Sequence, residues 1–197
     1  MAIHLYEDSA LTQQVSEGDL SNPDDDTYNG TDGEAKDKEL FLANEQTTLA
    51  APLASGETSL QLSEPRFTDG EVIIIDNEQM HVLSGGGSTT LGVERGYGGT
   101  TPAAHTAGAS VYSGYDYTGL VVEPVDTAGG DESGWYALAL TQAELDTATP
   151  GLPLTLGDKP HDVTVSFWRR CTVPAGTPVQ NKTDLKLRVT GTENPIL

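Results

Sequence analysis

The residue types that usually perform chemistry are few in this chain and stand at unhelpful spacings. Histidines occur at His4, His81, His105 and His161. A zinc site needs imidazole and thiolate ligands spaced so that they converge on one ion. None of the four lies in a His-Glu-x-x-His pattern, and the single Cys171 has no Cys-x-x-Cys partner. Cys171 follows Phe167 and Trp168 in a strand-like run, so it reads as a small buried apolar side chain. No Gly-Lys pair occurs, which removes a phosphate loop. The Gly-rich stretches 84–88 and 96–101 join β segments and open no helix, so no helix N-terminus awaits an anion. Ser133, in Asp-Glu-Ser-Gly-Trp, is not a nucleophile elbow. Carboxylate pairs are so common here that they do not point to a glycosidase, whose two carboxyls must stand about 5–10 Å apart. Asp24, Asp25 and Asp26 offer oxygen ligands to Ca²⁺ or Na⁺ and are the weak metal candidates, but EF-hand spacing is absent and a solvated acidic loop is the preferred reading. The sequons Asn29-Gly-Thr31 and Asn181-Lys-Thr183 lie in predicted loops. No catalytic residue and no cofactor is expected; the chain reads as non-enzymatic.

These residues are carried by 197 positions, of which 36% are hydrophobic and 6% aromatic. That is enough chain for one sizeable β domain or two small ones, with a core thin or shared with neighbours. Thirty acidic residues oppose ten basic ones, for a formal net charge of −20, and Asp and Glu recur along nearly the whole chain. Nucleic acid and anionic membranes are poor partners for such a surface, because both require clustered Lys and Arg. Self-repulsion of this size is screened in molar salt, where the Debye length falls to about 3 Å. The acid excess and scarce Lys fit a salt-rich cytoplasm better than an ordinary acidic protein. The N-terminal MAIHLYED has no basic or apolar signal region, so no signal peptide is expected. The strongest apolar run, Val72–Ile75, is far below the roughly 20 residues of a membrane helix.

Short aliphatic runs broken by Gly, Pro, Asn and Asp predict strands and turns. Residues 16–37 read as a long solvated loop. Strands are expected near 38–44, 71–75, 78–83, 89–94, 109–112, 120–125, 135–140, 162–173 and 185–189, with nine to eleven in all. Thr141 with Glu144 three residues on suggests one capped helical turn. The expected fold is all-β: an Ig-like β-sandwich made from 1–44 and 114–197, with a small β domain, 45–113, inserted between two of its strands. A single continuous domain is the alternative.

The insert carries the most specific pattern. EVIIIDNEQMHV (71–82), LGVERGYGGTT (91–101) and AHTAGASV (104–111) together resemble a β module of tail and baseplate proteins of tailed viruses. In that module a turn and a Glu-Gln/Met strand lead to L-x-x-V-x-R-G-x-x-G-T and A-H-x-A-G-x-x-V. Gly96, Gly98, Gly99 and Gly108 would allow positive φ in its bends, and Arg95 and His105 would donate to bend carbonyls. The flanking segments, including FWRRCTVPAGTPVQNKTDLKLRV (167–189), more loosely resemble virion structural proteins.

The resemblance implies a structural component of a tailed virus of a halophilic archaeon, present in many copies in the tail or baseplate. Its partners would be other virion proteins and copies of itself, with neither nucleic acid nor membrane among them, and its location the virion. A capsid decoration or turret protein is the alternative. A glycan-binding adhesin, with Tyr97, Tyr115, Tyr117, Trp135 and Tyr136 as a stacking surface, is another. Trp135, Phe167 and Trp168 are expected to include core anchors. Arg169 and Arg170 form a rare basic spot that meets an acidic neighbour across an interface or an internal carboxylate.

Overall fold

The computed structural model describes residues 2–196. The chain is all-β. Its thirteen strands are β1 (Ile3–Tyr6), β2 (Glu34–Asn44), β3 (Gln46–Thr48), β4 (Ser59–Gln61), β5 (Val72–Ile75), β6 (Glu78–Ser84), β7 (Thr90–Tyr97), β8 (Ser110–Ser113), β9 (Tyr115–Asp126), β10 (Tyr136–Ala139), β11 (Leu154–Lys159), β12 (Val165–Val173) and β13 (Leu185–Pro195). Two 3-10 turns, Ser133–Trp135 and Ala143–Asp146, are the only helical pieces among the described residues. In the second, the Thr141 N–H donates to the Glu144 carboxylate at 3.0 Å, but no side chain caps the turn in return, so only half of the expected pair forms.

Three antiparallel sheets result. One has the order β1-β2-β12-β10 and a second β11-β9-β13. They face each other over Leu40, Leu42, Leu138 and Phe167 from the first, and Tyr117, Leu120 and Val122 from the second. Leu154, Leu156, Leu187 and Val189 pack around that core, giving a sandwich. The third sheet, β3-β8-β5-β6-β7-β4, is made wholly of strands between residues 46 and 113. It closes on its own cluster of Leu49, Leu53, Leu60, Leu62, Phe67, Ile73, Ile75, Met80, Val82, Leu91, Val93 and Val111.

Residue alternation explains the unbroken apolar run of β5. Ile73 and Ile75 enter the insert's core, while Val72 and Ile74 face the other side and are buried as well. There Val72 O accepts the Gly114 N–H at 2.8 Å, where the chain leaves the insert.

Several expectations need correction. The chain has more strands than expected, because β3 and β4 are three residues each and too short to show a period. Strand β2 begins at Glu34, four residues before the expected start, and its polar N-terminal half pairs with β12 from Lys38↔Arg169 to Glu34↔Val173. The stretch 16–37 is therefore not one solvated loop. Its last residues are strand, Tyr28 packs among residues of both sheets, and Asp24 pairs with Lys38 and Arg169 of the first.

Candidate functional site

The best-organised group of chemically capable side chains lies in the insert. A two-residue turn, Asp76-Asn77, joins β5 to β6, with Asp76 in the left-handed region at φ 52°. This hairpin sets Glu78 at the start of β6, with its side chain 1% exposed. Strand β7 brings Arg95 alongside. The segment after the glycine bend brings Ala103 and His105, and His105 pairs with Leu53 through reciprocal backbone hydrogen bonds of 2.9 Å.

The Glu78 carboxylate accepts five hydrogen bonds. Arg95 Nε and Nη2 donate at 2.6 and 2.7 Å, the Gly96 and Ala103 N–H groups at 3.1 and 2.8 Å, and His105 Nε2 lies at 3.0 Å. Arg95 is equally saturated. Beyond Glu78 it donates to Ala54 O at 2.9 Å, Glu57 O at 2.7 Å and Ala103 O at 2.6 Å, which uses all of its N–H donors. His105 Nδ1 meets Asp76 Oδ2 at 2.7 Å.

Burial alone would push the Glu78 carboxyl upward. The donors from Arg95, Ala103, His105 and Gly96 outweigh it and hold the group at about 2. The arrangement is a clamp: one buried anion ties four separate segments of backbone together. It leaves Glu78 no free lone pair with which to accept a substrate proton.

The bend that supplies two of these donors depends on Gly96. Its φ is 64°, and a Cβ there would lie 2.8 Å from Thr100 O and 3.0 Å from the Pro102 ring. Gly98, Gly99 and Gly108 also have positive φ. Arg95 does donate to bend carbonyls. His105 differs from expectation: its ring bonds to two carboxylates and to no carbonyl. Glu78 was missed as a central residue, although its place in NEQM, ahead of Arg95 and His105, was visible.

The other singled-out residues do not join this site. Phe167 is fully buried in the sandwich core. Trp168 lies on the outer face, half-buried against Ala137, Ala139 and Leu145, and Trp135 is half-buried at one end beside Tyr136 and Cys171. Cys171 is buried and free, and burial raises its thiol pKa.

Arg169 and Arg170 are not a basic spot. Consecutive strand residues face opposite ways. Arg169 points inward, 1% exposed, to Asp24 at 2.9 Å and the Tyr136 ring at 5.0 Å. Arg170 points outward to Asp37 and Asp146 at 2.7 and 2.8 Å. Both meet internal carboxylates.

Asp24 also accepts from Lys38 at 2.7 Å, and Asp26 lies 3.8 Å from Lys36 and Arg169, so two of the three consecutive aspartates face protein cations. Asp25 is exposed. Among the described residues no group of three or more His, Cys, Asp or Glu gathers to hold a metal. The proposed aromatic stacking surface does not form: Tyr117 and Tyr136 are buried in separate clusters, and Tyr97 is exposed on the insert.

No protein-family model matches this chain, and no curated protein matches it.

Proposed function

We propose that this protein is a structural component of a tailed virus particle, present in many copies in the tail or baseplate and assembled in a salt-rich host cytoplasm. The observation that carries this reading is the Glu78–Arg95–His105 clamp. Glu78, Arg95 and His105, which stand in the segments on which the resemblance rests, tie one small β module together, and the hydrogen-bonding capacity of Glu78 and Arg95 is used in doing so. A module of that kind suits presentation of a surface to neighbours better than turnover of a substrate. The 11-residue β13 adds to it, because its outer edge is unpaired among the described residues and can take a strand from another subunit.

Charge placement supports the salt-rich setting. Among the described residues, every Lys and Arg except Lys159 and Lys186 is ion-paired within the chain. The remaining carboxylates dominate the surface, and nucleic acid and membrane are not partners in this reading. An immunoglobulin-like strand arrangement is its finer structural form.

Light scattering or mass photometry of the purified chain, from dilute to molar KCl, tests the proposal. Discrete higher oligomers in molar KCl are expected. A monomer at every salt and at high protein concentration overturns multi-copy tail assembly and leaves the capsid decoration or turret alternative.

A further inference from the structure

Where the insert joins the sandwich, a buried lysine faces a buried carboxamide. Asn44 ends β2 and is 0% exposed; Lys159 ends β11 and is 1% exposed. Lys159 Nζ lies 2.6 Å from Asn44 Oδ1 and 3.1 Å from Pro160 O, both of them uncharged. Buried ammonium groups are normally paired with carboxylates, yet no carboxylate lies within 4 Å of this one among the described residues. The Asn44 amide nitrogen is held in turn by Tyr115 O at 2.8 Å, Ser113 Oγ at 2.9 Å and Ser113 O at 3.3 Å. The carboxamide therefore cannot rotate away from the amine.

We propose that Lys159 and Asn44 condense to an isopeptide bond that joins the two sheets of the sandwich. The neutral amine attacks Asn44 Cγ, the Nζ–Cγ bond forms and the Cγ–Nδ2 bond breaks. One Nζ proton passes to the departing nitrogen, and ammonia leaves. No redox partner is required. Fixed proximity in a dry site supplies the driving geometry that an intermolecular amine lacks. Burial favours the reactive form: against the pull of Asp116 and Asp162, it brings the lysine down to about 8. Asp116, itself 3.1 Å from His161 Nδ1, and Asp162 are the charged groups that act on this amine. Formation accordingly speeds up as pH rises towards that value. Strands β2 and β11 lie in different sheets, so the bond ties together what a single-cysteine chain cannot tie by a disulfide.

Intact-mass spectrometry of the full chain, as purified and after incubation in molar KCl near pH 9, decides the matter. The expected product is about 17 Da lighter than its sequence, the mass of one ammonia, and its digest contains a branched peptide linking residues 44 and 159. Succinimide formation at Asn29-Gly30 would lose the same mass, so Lys159→Arg is the control: it keeps a cation but should not lose the ammonia. An unchanged wild-type mass after incubation overturns the proposal, as does a loss that persists in Lys159→Arg or a digest with Lys159 free. If the variant fails to fold, the wild-type digest alone still decides.

Discussion

Arg169 Nη2 donates to Asp24 Oδ1 over 2.9 Å, between residues 145 positions apart in the chain. Lys38 is the register partner of Arg169 across β2 and β12, and its Nζ lies 2.7 Å from the same oxygen. Two cations directly opposite on neighbouring strands would repel. The segment before β2 delivers a carboxylate between them and so closes that end of the sandwich.

Removing that carboxylate leaves a buried guanidinium without its main partner. Asp24→Ala should lower unfolding free energy by about 3–5 kcal/mol, read by denaturant titration at fixed KCl. Arg170→Ala should cost less, about 1–2 kcal/mol, since Arg170 is itself 26% exposed and only Asp37 of its two partners is largely buried. Equal losses would refute the inward and outward assignment of the pair.

The clamp predicts a similar contrast inside the insert. Glu78→Gln removes the charge that Arg95 and His105 share and should destabilise by about 3–5 kcal/mol. Asp76→Asn keeps a residue type suited to its left-handed φ and removes the charge of a side chain that is 67% exposed, so it should cost no more than about 1 kcal/mol. Denaturation followed by hydrogen exchange at β6 and β7 would distinguish the two.

Stability should depend on pH in two windows of opposite sign. Glu78 is held at about 2 against its ordinary 4.5, so its contribution is complete above 4.5 and is lost as pH falls towards 2. Glu45 is raised to about 7 by burial, with Glu71 and Glu17 adding to the effect and Arg66 opposing it. The folded state therefore favours its protonated form: that contribution is complete below 4.5 and is lost as pH rises through 7. Glu45→Gln should flatten the melting temperature between those limits. An unchanged slope would remove Glu45 as its source.

Gly96→Ala should destabilise by about 1–3 kcal/mol, because the new Cβ meets Thr100 O and the Pro102 ring at a positive φ. A neutral result would mean that the bend can move without disturbing Ala103 and His105.

Cys171 should resist thiol reagents in the folded protein and react fully once denatured, because burial both raises its pKa and blocks access. Rapid labelling under native conditions would contradict its place in the core.

Composition and short-range pattern determined the all-β class, the turns at Asp76-Asn77 and Gly85–Ser88, the 3-10 turn after Thr141, and the identity of β5, β6, β7 and β12. Each depends on neighbours within a few residues: side-chain alternation, a left-handed turn residue, a local cap. The tertiary structure alone decided which strands share a sheet and what the charged residues do. Arg169 and Arg170 read as one basic patch because they are adjacent, yet the β repeat sends one into the sandwich and the other out. Asp24 read as solvent-facing because nothing nearby marks it, and its partner lies 145 residues away. Glu78, Arg95 and His105 stand in the segments that carry the resemblance, but their convergence on one carboxylate required β6 to pair with β7 and His105 to bridge to Leu53. Lys159 and Asn44 were unremarkable in the chain. Only the docking of two sheets brings an amine and an amide within 2.6 Å, because burial and long-range pairing are properties of the folded surface and leave no mark on local sequence.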